Sequence, residues 1–352
     1  MRPHRKYMQL ALKLAAKGKG FTGPNPVVGA IIVKRGQIIG RGYHKKYGSE
    51  HAEVVALKQA GEKARNAIMY VTLEPCSHWG KTPPCTERII EAGIREVIIA
   101  MKDPNPKVNG ISVLKSHGIK TKVGILESQA KKLNEAYIKY MTTGRPFIII
   151  KAAISLDGKI ATLTGDSKYI TCNESRRYVH KLRSESDAVL VGINTVLKDN
   201  PKLDVRLVKG KNPLKIVLDD KLRIPLNAHL LKEPEKLIIV TTNPLKRKLK
   251  QLQKRGIKII EFEDKIELKK LIKKLANMGI TSILIEGGSQ VITSAIKSKI
   301  VDKVILFIAP IFIGKGIELL GDVGVKSIKK VIKLKNVKIE RIGEDIQVEG
   351  YL

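Results

Sequence analysis

His51-Ala52-Glu53, then Glu74-Pro75-Cys76-Ser77-His78, then Pro83-Pro84-Cys85: this stretch decides how the chain folds. One imidazole and two thiols are a full set of protein ligands for a catalytic zinc, which keeps its fourth tetrahedral position for water. Glu53 lies two residues from His51, too close along a helix to share its face and bind the same ion. A carboxylate beside such an ion is instead placed to carry protons. A surface histidine and two unrelated buried thiols would be the bland alternative. It is weak here, because the chain has only 3 cysteines and each of this pair directly follows a proline.

Zinc deaminases of nucleobases carry H-x-E, then P-C and a second cysteine, with the glutamate as proton shuttle. Short-spacing members have two residues between the cysteines, whereas Ser77 to Pro84 separate them here. Gly80 and the proline pair make that segment a loop. Pro84 then opens a helix over Thr86 to Ala92, whose first amides favour Cys85 as a thiolate. His78 reads as a solvated loop residue.

Working outward, Arg5 to Lys17 is expected to be a helix with Leu10, Leu14, Ala11 and Ala15 on its apolar face. Val27 to Lys34 and Gln37 to Tyr43 read as a hairpin around Arg35-Gly36. His51 to Gly61 is a helix, Ala67 to Leu73 a buried strand and Glu96 to Met101 another. Gly110 to His117 adds a helix, Lys120 to Val123 a strand, and Leu126 to Tyr140 a further helix. Alternating strands and helices predict an α/β layered fold with a mostly parallel sheet. The metal-ligand segments then sit at strand-to-helix junctions on one sheet edge.

A second unit begins at Phe147-Ile148-Ile149-Ile150-Lys151. Strands at Ala188 to Val191, Lys215 to Leu218, Leu237 to Thr241, Ile257 to Glu261 and Ser282 to Ile285 follow, with helices between them. Glu286-Gly287-Gly288-Ser289 leads into a helix from Gln290 to Ser298, a natural phosphate cradle. No G-x-G-x-x-G follows any strand, so an ordinary Rossmann domain is not indicated.

The chain has 352 residues, enough for two domains with real cores. No apolar run nears the ~20 residues of a membrane span, so no membrane role is expected. The basic N-terminus reads as an amphipathic helix and not a signal peptide. Three cysteines, two of them assigned to metal, imply a reducing compartment, hence the cytoplasm, with Cys172 a buried free thiol. The net charge of +33 invites a nucleic-acid reading, but its distribution argues otherwise. Residues 1–146 hold 26 Lys+Arg against 10 Asp+Glu, and residues 147–352 hold 40 against 23, so the excess is spread. The densest cluster, Lys246 to Arg255, has no aromatic for base stacking. No specific nucleic-acid partner is expected, and a homo-oligomer is left open.

These residues together resemble one family over essentially the whole chain: bifunctional riboflavin-biosynthesis proteins with an N-terminal pyrimidine deaminase and a C-terminal reductase. The resemblance rests on Gly23-Pro24-Asn25-Pro26-Val27-Val28-Gly29, the His51 and Cys76–Cys85 segments, and Ser155-Leu156-Asp157-Gly158-Lys159. Gly165-Asp166-Ser167, Ser186 to Gly192, Asp199-Asn200-Pro201 and Glu286-Gly287-Gly288 complete it. The family shares the eight-residue gap between the cysteines.

The resemblance implies a cytidine-deaminase-like domain over 1–146 and a dihydrofolate-reductase-like domain over 147–352. It implies two consecutive steps on a phosphoribosylaminopyrimidine, the small-molecule substrate. Zn2+ on His51, Cys76 and Cys85 would serve hydrolytic deamination, with Glu53 moving the proton and Asn25 holding the substrate. NADPH would serve reduction of the ribosyl group. Its implied positions are Ala153, Tyr169, Thr195 and Asp199, with the turn Gly288, Ser289, Gln290, Val291, Ile292, Thr293 and Ser294. Implied substrate positions are Ser167, Arg183, Leu203, Arg206 and Glu286, the two arginines as clamps on the phosphate. Two positions depart from the family: Tyr169 stands where some members have Trp, and Asp220 where a small hydroxyl residue is common. A carboxylate there is unfavourable beside a 2′-phosphate.

Three rivals are weaker. A deaminase with an inert second half leaves Asp157, Asp199, Arg206 and Glu286 without a purpose. An RNA-editing deaminase would concentrate its basic charge on one face. A structural zinc module would need a fourth protein donor.

Overall fold

The computed structural model describes residues 2–80, 83–242 and 244–352. Lys81 and Thr82, within the loop expected between the cysteines, lie outside them. The chain divides into two compact units, Met1–Arg145 and Pro146–Leu352.

The first unit runs α1 (Arg2–Ala15), β1 (Gly29–Lys34), β2 (Gln37–Tyr43), α2 (Ala52–Ala60), β3 (Ile68–Val71) and α3 (Cys85–Glu91). It continues with β4 (Glu96–Ile99), α4 (Gly110–Ser116), β5 (Lys120–Val123), α5 (Glu127–Leu133) and α6 (Glu135–Thr143). The strands form one sheet in the order β2-β1-β3-β4-β5. Arg35 and Gly36 both have positive φ, 48° and 79°, as a two-residue I′ hairpin turn requires. That hairpin corrects the expectation of a mostly parallel sheet. β1 pairs antiparallel with both β2 and β3, and the only parallel pairs are β3 with β4 and β4 with β5.

Packing places α1 on the sheet through Met8, Ala11, Leu12 and Ala15, the i, i+3, i+4, i+7 stripe of an amphipathic helix. Of the expected face Leu10, Leu14, Ala11 and Ala15, the two alanines are fully buried, while Leu10 and Leu14 are only partly buried at the margin of the core. A single helix over Leu126 to Tyr140 was expected, yet Asn134 divides it into α5 and α6. The buried Asn134 side chain accepts from the Val27 amide (2.9 Å) and donates to the Val27 carbonyl (3.0 Å). It thereby fixes the segment that carries Asn25. Asn134→Ala is expected to cost about 1–3 kcal/mol for each Val27 group left unpaired. A lower urea midpoint for this unit would show it, and an unchanged midpoint would refute the role.

The second unit holds β6 (Phe147–Ser155), β7 (Lys159–Thr162), α7 (Asn173–Glu185), β8 (Ala188–Gly192), α8 (Ile193–Asp199), β9 (Leu214–Leu218) and β10 (Leu237–Thr241). Then come α9 (Lys246–Lys254), β11 (Lys258–Glu261), α10 (Leu268–Asn277), β12 (Ser282–Ile285), α11 (Ser289–Lys297), β13 (Lys303–Ala309), β14 (Gly316–Glu318), β15 (Lys335–Ile342) and β16 (Asp345–Tyr351). The large sheet has the order β11-β10-β9-β8-β12-β6-β13-β16-β15. It is parallel up to β13, and β16 and β15 close it antiparallel. Apolar clusters cover both faces, one built on Ile148, Ile150 and Ile283, the other on Val189, Val217 and Phe307. Between β9 and β10 the expected helix is only a pair of 3-10 turns. Cys172 is half-buried and not buried, with its thiol donating to the Ile342 carbonyl (3.3 Å).

Candidate active sites

In the first unit β2 and β3 run in the same direction, so their carboxyl ends lie on one sheet edge. His51 is the N-cap of α2 and Cys85 the first residue of α3. Close approach locks both helices in place. A Cβ on Gly42 would stand 2.1 Å from the Ala52 carbonyl oxygen, and one on Gly110 2.0 Å from that of Pro75. Neither position admits a larger residue without moving the His51 or the Cys76 backbone.

His51, Cys76 and Cys85 each present a ligand atom, all within 4.8 Å of one another. His51 Nδ1 lies 3.2 Å from Cys85 Sγ and 3.5 Å from Cys76 Sγ. Bonds of about 2.0–2.3 Å from a tetrahedral centre produce ligand spacings of this size, so the donor set fits zinc. Cys85 donates its backbone N–H to Cys76 Sγ (3.3 Å). The helix start therefore favours Cys76, and not Cys85 as expected, as the thiolate. Hydrogen bonds from the Cys85 thiol and from His51 bring Cys76 down to about 4. Cys85 is pushed well up by Cys76 and by burial. Cys76 in turn raises His51 to about 9.

Glu53 enters the same pocket from the first turn of α2 and is only 4% exposed. Burial lifts its carboxyl to about 7, and it shares a hydrogen bond with the Cys85 thiol. Asn25 stands close by, its Nδ2 3.3 Å from His44 Nε2. The buried His44 meets the His51 ring edge-on at 5.4 Å, and its Nδ1 lies 3.1 Å from the Glu50 carbonyl. His44 escaped the sequence reading; its one signal was a place on the β2–α2 connection that also carries His51. His78 is exposed.

The second unit contains a cavity of about 1360 Å³ along the carboxyl ends of β6, β8, β9 and β12. It gathers every expected position of this unit except Ile292, which is in the core, and Thr293, whose hydroxyl donates to the Ser289 carbonyl. Ala153, Thr195, Asp199, Ser167, Leu203 and Ser294 all line it. Gly288 caps α11, so the first amides of that helix point into the space around Ser289, Gln290 and Val291. Tyr169 is 68% exposed at the rim, with the Arg176 guanidinium 3.9 Å over its ring.

Arg183 does not stand open as a phosphate clamp. Its Nε and Nη2 donate to Glu286 Oε1 (2.6 Å) and Oε2 (2.9 Å), and Nη1 to the Asp204 carbonyl (3.1 Å). Arg206 is half exposed and pairs with Asp204. Lys151, not among the expected site residues, lies 3.7 Å from Glu286 Oε2. Burial lowers its ammonium pKa, against the opposing pull of Glu286. His180 was also missed. Burial, with Arg183 and Arg206 beside it, lowers it to about 4, and its neutral Nδ1 accepts the Arg206 amide (3.2 Å).

A three-donor metal cage beside a buried carboxyl is the site of a zinc deaminase, and it is followed by a second α/β unit with a large cavity of its own. A family model described as the cytidine and deoxycytidylate deaminase zinc-binding region matches residues 1–101, and one described as the RibD C-terminal domain matches 146–348. Riboflavin biosynthesis protein RibD of Aquifex aeolicus is 48% identical over 97% of this chain and 96% of its own length. That of Escherichia coli is 38% identical over 97% of each. Two solved structures cover 99% of both chains. One, from Acinetobacter baumannii RibD, has a TM-score of 0.91 at 36% identity; the other, a deaminase/reductase from Thermotoga maritima, 0.89 at 38%. The chain belongs to the RibD family of riboflavin biosynthesis proteins. It is a bifunctional deaminase and reductase, with zinc serving the first activity and NADPH the second. No helix among the described residues is long and apolar enough to cross a membrane.

Proposed function

We propose that residues 1–146 deaminate 2,5-diamino-6-(phosphoribosylamino)pyrimidin-4-one and that residues 147–352 reduce the ribosyl chain of the product to ribityl. The Thermotoga maritima structure is described as the deaminase and reductase of these compounds, which supports the choice of substrate. Zinc on His51, Cys76 and Cys85 supplies a Lewis acid and an activated water near neutral pH. Glu53 holds a proton at its carboxylate, where burial keeps the neutral form accessible near pH 7. It passes that proton to the ring nitrogen as the water oxygen adds to the carbon. It then takes a second proton from the new hydroxyl and gives it to the amine, so that the C–N bond breaks, ammonia leaves and the carbonyl forms. Asn25, with His44 behind it, orients the pyrimidine. Reduced cysteines, two of them committed to zinc, suit the cytoplasm.

NADPH supplies the reducing equivalent in the second unit. The free amides at the start of α11, Gly288 to Gln290, would hold its diphosphate, with Val291, Ser294 and Ala153 lining the same cavity. Lys151, with its proton loosened by burial, protonates the substrate oxygen, and Glu286 keeps Lys151 and Arg183 oriented. Arg206, Ser167 and Leu203 shape the substrate end.

The observation that carries this reading is the ion-sized cage with Glu53 buried beside it. Purified protein incubated with the diaminopyrimidine ribosyl phosphate is expected to release ammonia with or without NADPH. Ribityl product should form only with NADPH. Chelation should stop the first reaction while the pre-deaminated compound is still reduced. Ammonia release that survives complete zinc removal would dismiss the assignment.

A further inference from the structure

The cavity of the second unit continues past the α11 cradle to the carboxyl end of β9, where Asp219 and Asp220 sit. Asp219 is fully buried and its carboxylate is committed, accepting the amides of Arg223 (2.8 Å) and Ile224 (2.8 Å). Asp220 is anchored through its backbone instead. Its carbonyl accepts from the Thr241 hydroxyl (2.9 Å), the Thr242 hydroxyl (3.1 Å) and the Thr242 amide (3.0 Å). Those bonds fix where the side chain starts, and the exposed carboxylate lines the cavity. One of its oxygens accepts the Lys221 amide (3.1 Å), which leaves acceptor capacity for a ligand.

Arg223 lines the same rim, but its guanidinium is turned elsewhere. Nη2 donates to Asn194 Oδ1 (3.4 Å) and Nε lies 4.0 Å from Asp219. Asn194 in turn donates to Gln290, so Arg223 is tied to the cradle and not to Asp220. The order of groups along the cavity is therefore Lys151, Glu286 and Ala153 at β6 and β12, the α8 and α11 helix starts in the middle, and Asp220 with Arg223 at β9. A dinucleotide with its diphosphate on the α11 start and its nicotinamide at β6 lays its adenosine ribose towards β9. A carboxylate at that place accepts hydrogen bonds from an unmodified ribose and repels a 2′-phosphate. A small hydroxyl side chain would do neither.

We propose that Asp220 sets the dinucleotide preference of this reductase, so that it accepts NADH alongside NADPH. The inference rests on reading the cavity as a nicotinamide dinucleotide site. It is tested by calorimetric titration of the full chain with NADPH and with NADH at fixed ionic strength, without substrate. The expected result is that the two dissociation constants lie within about tenfold of each other. Asp220→Ser and the isosteric Asp220→Asn should each tighten NADPH by about tenfold, as loss of one partly solvated like-charge contact implies, and should weaken NADH. A wild-type preference for NADPH above about a hundredfold, unmoved by either variant, would overturn the inference and leave the dinucleotide site standing. Failure of both dinucleotides to bind the folded wild-type protein would remove the site itself, and this inference with it.

Discussion

Glu53→Gln is expected to lower the rate of ammonia release by about 10²–10⁴-fold, the range a positioned proton carrier contributes. Zinc should remain bound in stoichiometric amount, because the three donors of the cage do not include Glu53. The substitution keeps the volume and polarity of a side chain that is 4% exposed, so packing is preserved. What it removes is the ability to take up and release a proton at a group that burial has lifted to about 7. Metal analysis alongside an ammonia assay decides the matter. Loss of zinc together with activity would make Glu53 a support of the cage, and activity within a few-fold of wild type would deny it any part in proton transfer. Reduction of pre-deaminated substrate is the internal control and should be unchanged.

The second large effect lies in the reductase unit, where Glu286 (7% exposed) faces Arg183 (13%) and Lys151 (16%). Replacing it with Ala strands two buried cations, which is expected to cost about 3–5 kcal/mol. Glu286→Gln keeps the shape and removes the charge, so it should lose less but still abolish most reduction. The pH dependence follows from the direction of the shift. Burial alone would raise the Glu286 carboxyl, but the charges of Arg183 and Lys151 outweigh it and bring it from 4.5 to about 2. A depressed carboxylate contributes its stability in full above the unfolded value and loses it as pH falls through the folded value. The contribution, about 3 kcal/mol in order of magnitude, should thus be complete above pH 4.5 and vanish towards pH 2. Denaturant titrations of wild type and Glu286→Gln should run apart from pH 5 to 8 and converge in strong acid. A constant gap down to pH 2 would contradict the linkage.

The metal site could be read from the chain because its chemistry is carried by residue types that are scarce here and come in fixed order. Only three cysteines exist, and a histidine and a glutamate two apart at a helix start bring an imidazole and a carboxyl to one pocket. The reductase residues were another matter. Arg183 was expected to meet phosphate, yet it spends its donors on Glu286 and Asp204, partners 103 and 21 residues away. Lys151 and His180 were missed because their neighbours come from other strands and helices. The closing strand β15, solvent-exposed and rich in Lys, lacks the buried apolar run that marks a central strand. Its signal was the alternation of Val337 and Ile339 before the turn at Gly343.

By itself the order of amino acids marked the two α/β units and the residues His51, Glu53, Cys76 and Cys85 that the fold brings together. Local spacing, turn chemistry and ligand type suffice for those. Only the tertiary structure decided that the Cys85 amide reaches the Cys76 sulfur across the loop. It also decided that Glu286 neutralises Lys151 and Arg183, and that Asp220 lines the cavity while its neighbour Asp219 is buried. Burial and long-range charge set the protonation and direction of a side chain, and both come into being only when distant segments pack.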